Sequence, residues 1–132
     1  MSEIVASAKT LIQSDQSVSQ RFAMQVHHAA DGICRLSALI DAGWVNGAGF
    51  VHGSVAYALM DSACAYACAS REVRGVTTNG NITYVRGGRG DTALTAQAQV
   101  ISQSRRVMSL TARLEDEDKQ LLAHGSFLFQ LI

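Results

Sequence analysis

One carboxylate, Asp61, stands alone in a sixteen-residue apolar run, Val55 to Ser70 (VAYALMDSACAYACAS). Apolar surroundings strip water from an ionisable group, and a desolvated carboxylate has a raised pKa, suited to a general base near neutral pH. The plainer reading is a buried structural acid bonded to neighbouring backbone or to Ser62. Cys64 and Cys68 lie four apart in the same run, so on a helix they share a face as small apolar fillers. With Cys34 they make an odd set without a metal-ligand pattern, and no metal site is assigned. His27, His28 and His124 have no partner spacing and read as strand or surface residues.

Charge supplies the second chemical cue. The net charge is zero, which argues against a general nucleic-acid binder. Yet Arg71, Arg74, Arg86, Arg89, Arg105, Arg106 and Arg113 share their stretch with only Glu72 and Asp91. Arginine is the better bidentate partner for phosphate oxygens, so this excess points to a small anionic ligand rather than a polyanion.

The elements that must position these groups follow from periodicity. The length of 132 residues predicts one domain, 1–132, and 48% hydrophobic residues suit a folded core. The start, Met1-Ser2-Glu3-Ile4, lacks a basic region followed by an apolar one, and no run reaches the ~20 apolar residues of a membrane span. With reduced thiols, the expected setting is cytoplasmic, away from membranes. A short helix is expected at Glu3 to Gln13, followed by a polar lead-in. Strands are expected at Arg21 to His28 and Ile33 to Ile40 around the Asp31-Gly32 turn, followed by a glycine-rich loop from Asp41 to Val51. The apolar run is a long helix, hydrophobic all round and therefore buried on all sides. Val76 to Val85 is a strand. Leu94, Ala96, Ala98 and Val100, then Met108, Leu110, Ala112 and Leu114, alternate with polar residues as half-buried strands do. Ser102 to Arg105 and Asp116 to Lys119 are turns, and Leu121 to Leu131 is the last strand. One long apolar helix among antiparallel strands is best buried when the sheet curls around it, giving an α+β hotdog fold.

A motif joins this pattern. Asn46-Gly47-Ala48-Gly49-Phe50-Val51-His52-Gly53-Ser54, with Leu59-Met60-Asp61, resembles the Asn…His-Gly-Gly…Leu-x-Asp signature of hotdog acyl-CoA thioesterases of the phenylacetic-acid-degradation type. Gly75-Val76-Thr77, Asn81-Ile82-Thr83-Tyr84, Arg86, Gly90-Asp91-Thr92 and Leu94-Thr95 extend the resemblance from Asn46 to the C-terminus. Three departures touch loop geometry and acyl specificity. Ser54 replaces the second glycine, Gly87 replaces a frequent proline, and the turn from Gly87 to Gly90 is one residue short, with Ala93 as a compensating extra residue.

The resemblance implies that Asp61 activates water or attacks the thioester carbonyl. It implies that the Gly53 N–H polarises the carbonyl oxygen, that Asn46 positions water or carbonyl, and that Thr77 assists the carboxylate. A helix N-terminus offers unpaired N–H groups and a positive dipole end, and glycine there permits close approach. His52 and Ser54, at that terminus, are counted with the substrate-binding residues, although a structural role at the helix start also suits His52. Arg86, Arg89, Arg105 and Arg106 are the candidates for the CoA phosphates. Trp44 and Phe50 either line the acyl pocket or cover the core. CoA belongs to the substrate, and no further cofactor is expected.

Gly53 and Asp61 are eight residues apart, about 12 Å along one helix. One thioester carbon cannot lie within about 3–4 Å of both. If both act, they belong to different subunits, so the expected assembly is a homodimer, or by resemblance a dimer of dimers. The expected activity is hydrolysis of an acyl-CoA with an aromatic or medium-chain acyl group. The alternatives are a hotdog enoyl-CoA hydratase or dehydratase, disfavoured because no histidine follows Asp61 on the helix, and a non-catalytic acyl-CoA-binding module.

Overall fold

The computed structural model describes residues 2–132, apart from the side chain of Ser17. Two short helices, α1 (Ala6–Ser14) and α2 (Gln16–Arg21), precede a hairpin of β1 (Gln25–Ala30) and β2 (Ile33–Leu39). The long helix α3 (Gly53–Ala69) follows, then β3 (Gly75–Tyr84), β4 (Ala93–Gln103), β5 (Val107–Glu115) and β6 (Leu121–Leu131). The strands form one antiparallel sheet in the order β1-β2-β4-β5-β6-β3. This curled sheet packs around α3, the hotdog architecture that the single apolar helix implies.

Asp31 and Gly32 both take left-handed backbone (φ 54° and 76°), the conformation of a two-residue hairpin turn, and Ala30 pairs directly with Ile33. Between Glu115 and Leu121 the Asp116 carboxylate accepts from the N–H groups of Asp118 and Gln120, both at 2.9 Å. The acidic run there is thus a turn with one organising aspartate.

Three expectations change. The polar lead-in holds α2, and the first strand begins at Gln25 rather than Arg21. Left-handed Ala23 (φ 50°) ends α2 by letting the Met24 N–H reach back to the Ser19 carbonyl at 2.7 Å. The third change concerns α3. Leu59, Met60, Ala63, Cys64 and Tyr66 are fully buried, but Ser54, Tyr57, Ala58, Asp61 and Ala65 form a stripe that the rest of the chain covers only in part or not at all. Beside that stripe runs β3, whose only sheet neighbour among the described residues is β6. Its Val76 and Tyr84 are about half exposed (50% and 54%). A ten-residue edge strand with apolar residues in water is a surface suited to further pairing.

Candidate active site

The loop before α3 is built to present the helix terminus. Asp41 accepts from the Gly43 N–H at 2.7 Å and starts a 3-10 turn over Ala42–Trp44. The Asn46 Oδ1 accepts from the N–H groups of Ala48 (2.9 Å) and Phe50 (3.1 Å), closing a tight bend that left-handed Gly49 (φ 89°) makes possible. Asn46 therefore shapes the loop with its oxygen, and its Nδ2 has no partner among the described residues.

His52 caps α3. Its Nδ1 accepts from the Ser54 N–H at 3.0 Å and lies 2.7 Å from Ser54 Oγ, while its carbonyl takes the N–H groups of Val55 and Ala56. The first turn is thereby satisfied except at Gly53, whose N–H has no acceptor among the described residues. A free N–H at the positive end of a helix is the donor an oxyanion needs. The Tyr84 hydroxyl donates to the Gly53 carbonyl at 2.9 Å, and a Cβ on Gly53 would come within 3.3 Å of that hydroxyl. Tyr84 thus ties the end of β3 to the start of α3, a role no sequence signal marked.

Two turns along the helix, Asp61 meets Thr77 from β3. The Thr77 hydroxyl donates to Asp61 Oδ1 at 2.7 Å. Burial pushes the carboxyl above its ordinary range, the Thr77 hydrogen bond pulls it partly back, and the charge of Asp15 pushes it up again. Asp15 also accepts a hydrogen bond from the buried Tyr66 hydroxyl at 2.9 Å. One turn before Asp61, Tyr57 packs edge-on against Phe127 at 5.6 Å between centroids. Its hydroxyl occupies the space a side chain at Gly80 would need. Tyr57 stands four residues from Asp61, a helical spacing that could have marked it; Asp15 carried no such signal.

Gly53, Asn46, Tyr84, Phe50 and Arg86 line one cavity of about 310 Å³, and Asp61 is not among its walls. The single chain therefore keeps the helix terminus and the carboxylate apart. Phe50 does line this cavity, whereas Trp44 packs edge-on against Phe22 at 5.2 Å. The arginines divide as well. Arg86 donates to Gln120, the residue before β6, and Arg89 is exposed in the following loop. Arg105 and Arg106 lie in the β4–β5 turn, where the Arg106 carbonyl accepts from Leu131 at the far end of β6. The two pairs sit about 30 Å apart, at opposite ends of one strand.

The family model of the thioesterase superfamily matches residues 48–123, more than half of the chain. No curated protein matches it. Among solved structures, the PaaI protein of the Escherichia coli phenylacetic acid degradation operon is similar with a TM-score of 0.87 at 21% identity, over 93% of this chain and 94% of that one. A hypothetical thioesterase of Streptococcus pneumoniae with coenzyme A gives 0.87 at 17% identity, over 92% and 96%. The conserved protein PA5202 of Pseudomonas aeruginosa gives 0.80 at 26% identity, over 86% and 92%. Structures of the pneumococcal protein also exist with an aspartate and, separately, a threonine sixteen positions further on replaced by alanine, the separation of Asp61 and Thr77 here. On the family match and the shared hotdog frame, this chain is a thioester hydrolase belonging to the thioesterase superfamily.

Proposed function

We propose that the protein hydrolyses an acyl-CoA thioester, with an aromatic or medium-chain acyl group, to the free acid and CoA. The observation that carries this reading is the Thr77–Asp61 hydrogen bond at 2.7 Å. It holds the one carboxylate of α3 on the partly uncovered stripe, beside an unpaired strand edge. The pneumococcal thioesterase, similar in fold and solved with coenzyme A, supports CoA as the thiol half of the substrate.

Asp61 acts as general base or as nucleophile. As base, it takes a proton from water while the water oxygen adds to the thioester carbon; as nucleophile, its oxygen adds there and water then hydrolyses the mixed anhydride. In both cases the Gly53 N–H receives the growing negative charge on the carbonyl oxygen, the C–S bond breaks, and CoA leaves as a thiolate that is then protonated. The Asn46 Nδ2 group orients water or carbonyl. His52 and Ser54 shape the terminus that meets the substrate.

The site is shared between two copies. Thr77 and Asp61 mark one end of β3, and Tyr84 and Gly53 mark the other. Antiparallel pairing of β3 with β3 of a second copy, about a two-fold axis near Gly80, brings Asp61 of one chain toward the partner subunit's Gly53. The same operation carries Arg105 and Arg106 of one chain toward the end where the partner subunit's Arg86 and Arg89 lie. All four are then available to the CoA phosphates, within a dimer or a dimer of dimers. The chain needs no further cofactor on this reading and works in the cytoplasm, where its three free, buried cysteines stay reduced.

The test is release of free thiol from a panel of acyl-CoAs, by wild type and by Asp61→Asn. Turnover by wild type with a fall of about 10²–10⁴-fold in the variant is expected. Equal turnover by both folded proteins would refute the assignment of Asp61.

A further inference from the structure

A second and larger cavity lies outside the helix terminus. It is a groove of about 780 Å³ between α1, the C-terminal half of α3 and the start of β3. That volume is in the range of about 300–1,000 Å³ typical of small-molecule pockets. Ala65, one turn beyond Asp61 on the same stripe, lines its inner end, followed by Ala69, with Leu11, Val73 and Val76 on the other walls. Asp61 is not among its walls; the groove begins one helical turn beyond the carboxylate and runs away from it along the helix.

Its charged lining residues, Glu72 and Arg74, are exposed and follow the C-terminus of α3, beyond Ala69. The hydroxyls of its α1 wall are quieter than their type implies. Ser7 donates its hydroxyl proton to the Ala69 carbonyl at 2.6 Å, Thr10 to Ala6 at 3.1 Å, and Ser14 to Thr10 and Leu11 at 3.0 Å. With these protons committed to helix carbonyls, α1 offers no free hydroxyl donor to a ligand, and an alkyl chain can lie there without stranding one.

We infer that this groove is the acyl site and that it selects straight aliphatic chains of about eight to ten carbons. This rests on the thioesterase reading above and narrows its acyl group. Length sets the number. From Asp61 to Ala69 the helix advances about 12 Å. An extended alkyl chain advances about 1.3 Å per methylene, from a C–C bond of about 1.5 Å. A benzoyl or phenylacetyl group would end near Ala65 and leave most of the groove to water. In the shared site CoA departs on the other side, through the partner subunit's cavity at Gly53 and Arg86, so acyl chain and nucleotide occupy different channels.

The experiment is steady-state hydrolysis of straight-chain acyl-CoAs from C2 to C16, with phenylacetyl-CoA, by the intact oligomer. For wild type, kcat/KM should climb about three- to fourfold per methylene to C8–C10 and then level or fall. Ala65→Leu should lower the C10-to-C4 ratio of kcat/KM at least tenfold. Thr10→Trp, at an exposed position that does not threaten folding, should lower the same ratio from the opposite wall. A wild-type profile flat from C4 to C10, a preference for phenylacetyl-CoA, or an unchanged ratio in both folded variants would overturn the groove assignment and leave the thioesterase reading standing. Absence of turnover on every acyl-CoA would instead remove that reading, and this inference with it.

Discussion

Thr77→Val removes one hydroxyl, keeps the side-chain shape and leaves β3 with a residue it favours. The lost bond is the 2.7 Å contact with Asp61 Oδ1. A hydrogen bond to a charged group contributes about 1.5–3 kcal/mol, or about 10- to 100-fold in the population of the ionised carboxylate. Asp61 is only partly buried, so water can replace part of what is lost, and the lower end, about tenfold, applies. The sign is fixed by which form is stabilised. The hydroxyl favours the carboxylate, so its removal shifts the acid limb of the kcat/KM profile to higher pH. On that limb the rate falls about tenfold, while the plateau falls less and KM hardly moves. Thr77→Ser should restore the wild-type limb. The assay is thiol release across pH 4–9, with thermal unfolding to confirm the fold. A limb in Thr77→Val that stays in place or moves to lower pH would refute the claim that Thr77 tunes the catalytic carboxylate.

Asp61→Asn should be at least as stable as wild type at neutral pH. The folded carboxyl is raised above its unfolded value, so wild type loses stability as pH rises through the folded pKa; melting curves should converge as pH falls below it. Replacing Arg86 and Arg89, or Arg105 and Arg106, with Ala should raise KM for acyl-CoA several-fold at low salt, more than it lowers kcat. The difference should shrink as salt shortens the screening length toward about 8 Å; unchanged KM in both double variants would put the phosphates elsewhere. Gly80→Ala places a methyl group against the Tyr57 hydroxyl and 3.0 Å from the Phe127 ring. A loss of about 1–3 kcal/mol in urea unfolding is expected.

The parts of this fold that sequence made legible are those with a strict period or an odd residue out. Alternation marked β4 and β5, Asp31-Gly32 marked the first hairpin turn, and Asp61 stood out because its neighbours are apolar. Periodicity does not say which strands become neighbours. The placement of β3 at the edge beside β6, which leaves the Asp61 stripe partly uncovered, arises from long-range pairing with no local signature. The six-residue α2 has no apolar stripe to announce it, and Phe22, Ala23 and Met24 resemble a strand start until Ala23 turns left-handed. The Tyr84–Gly53 tie spans 31 residues and depends on where β3 ends. The two arginine pairs look like one set along the chain because sequence proximity conceals the length of β6 between them.

The shared site is the central claim, and subunit mixing tests it most directly. Asp61→Asn and Gly53→Leu, each inactive alone, are mixed in equal amounts after dissociation and reassociation, with exchange verified by native mass spectrometry. In a mixed dimer one site carries both lesions and the other neither. Random assortment makes half of the dimers mixed, so about one quarter of wild-type specific activity should return. Verified exchange with no recovered activity would mean that Gly53 and Asp61 do not meet across a subunit interface, and the account of the site would fail.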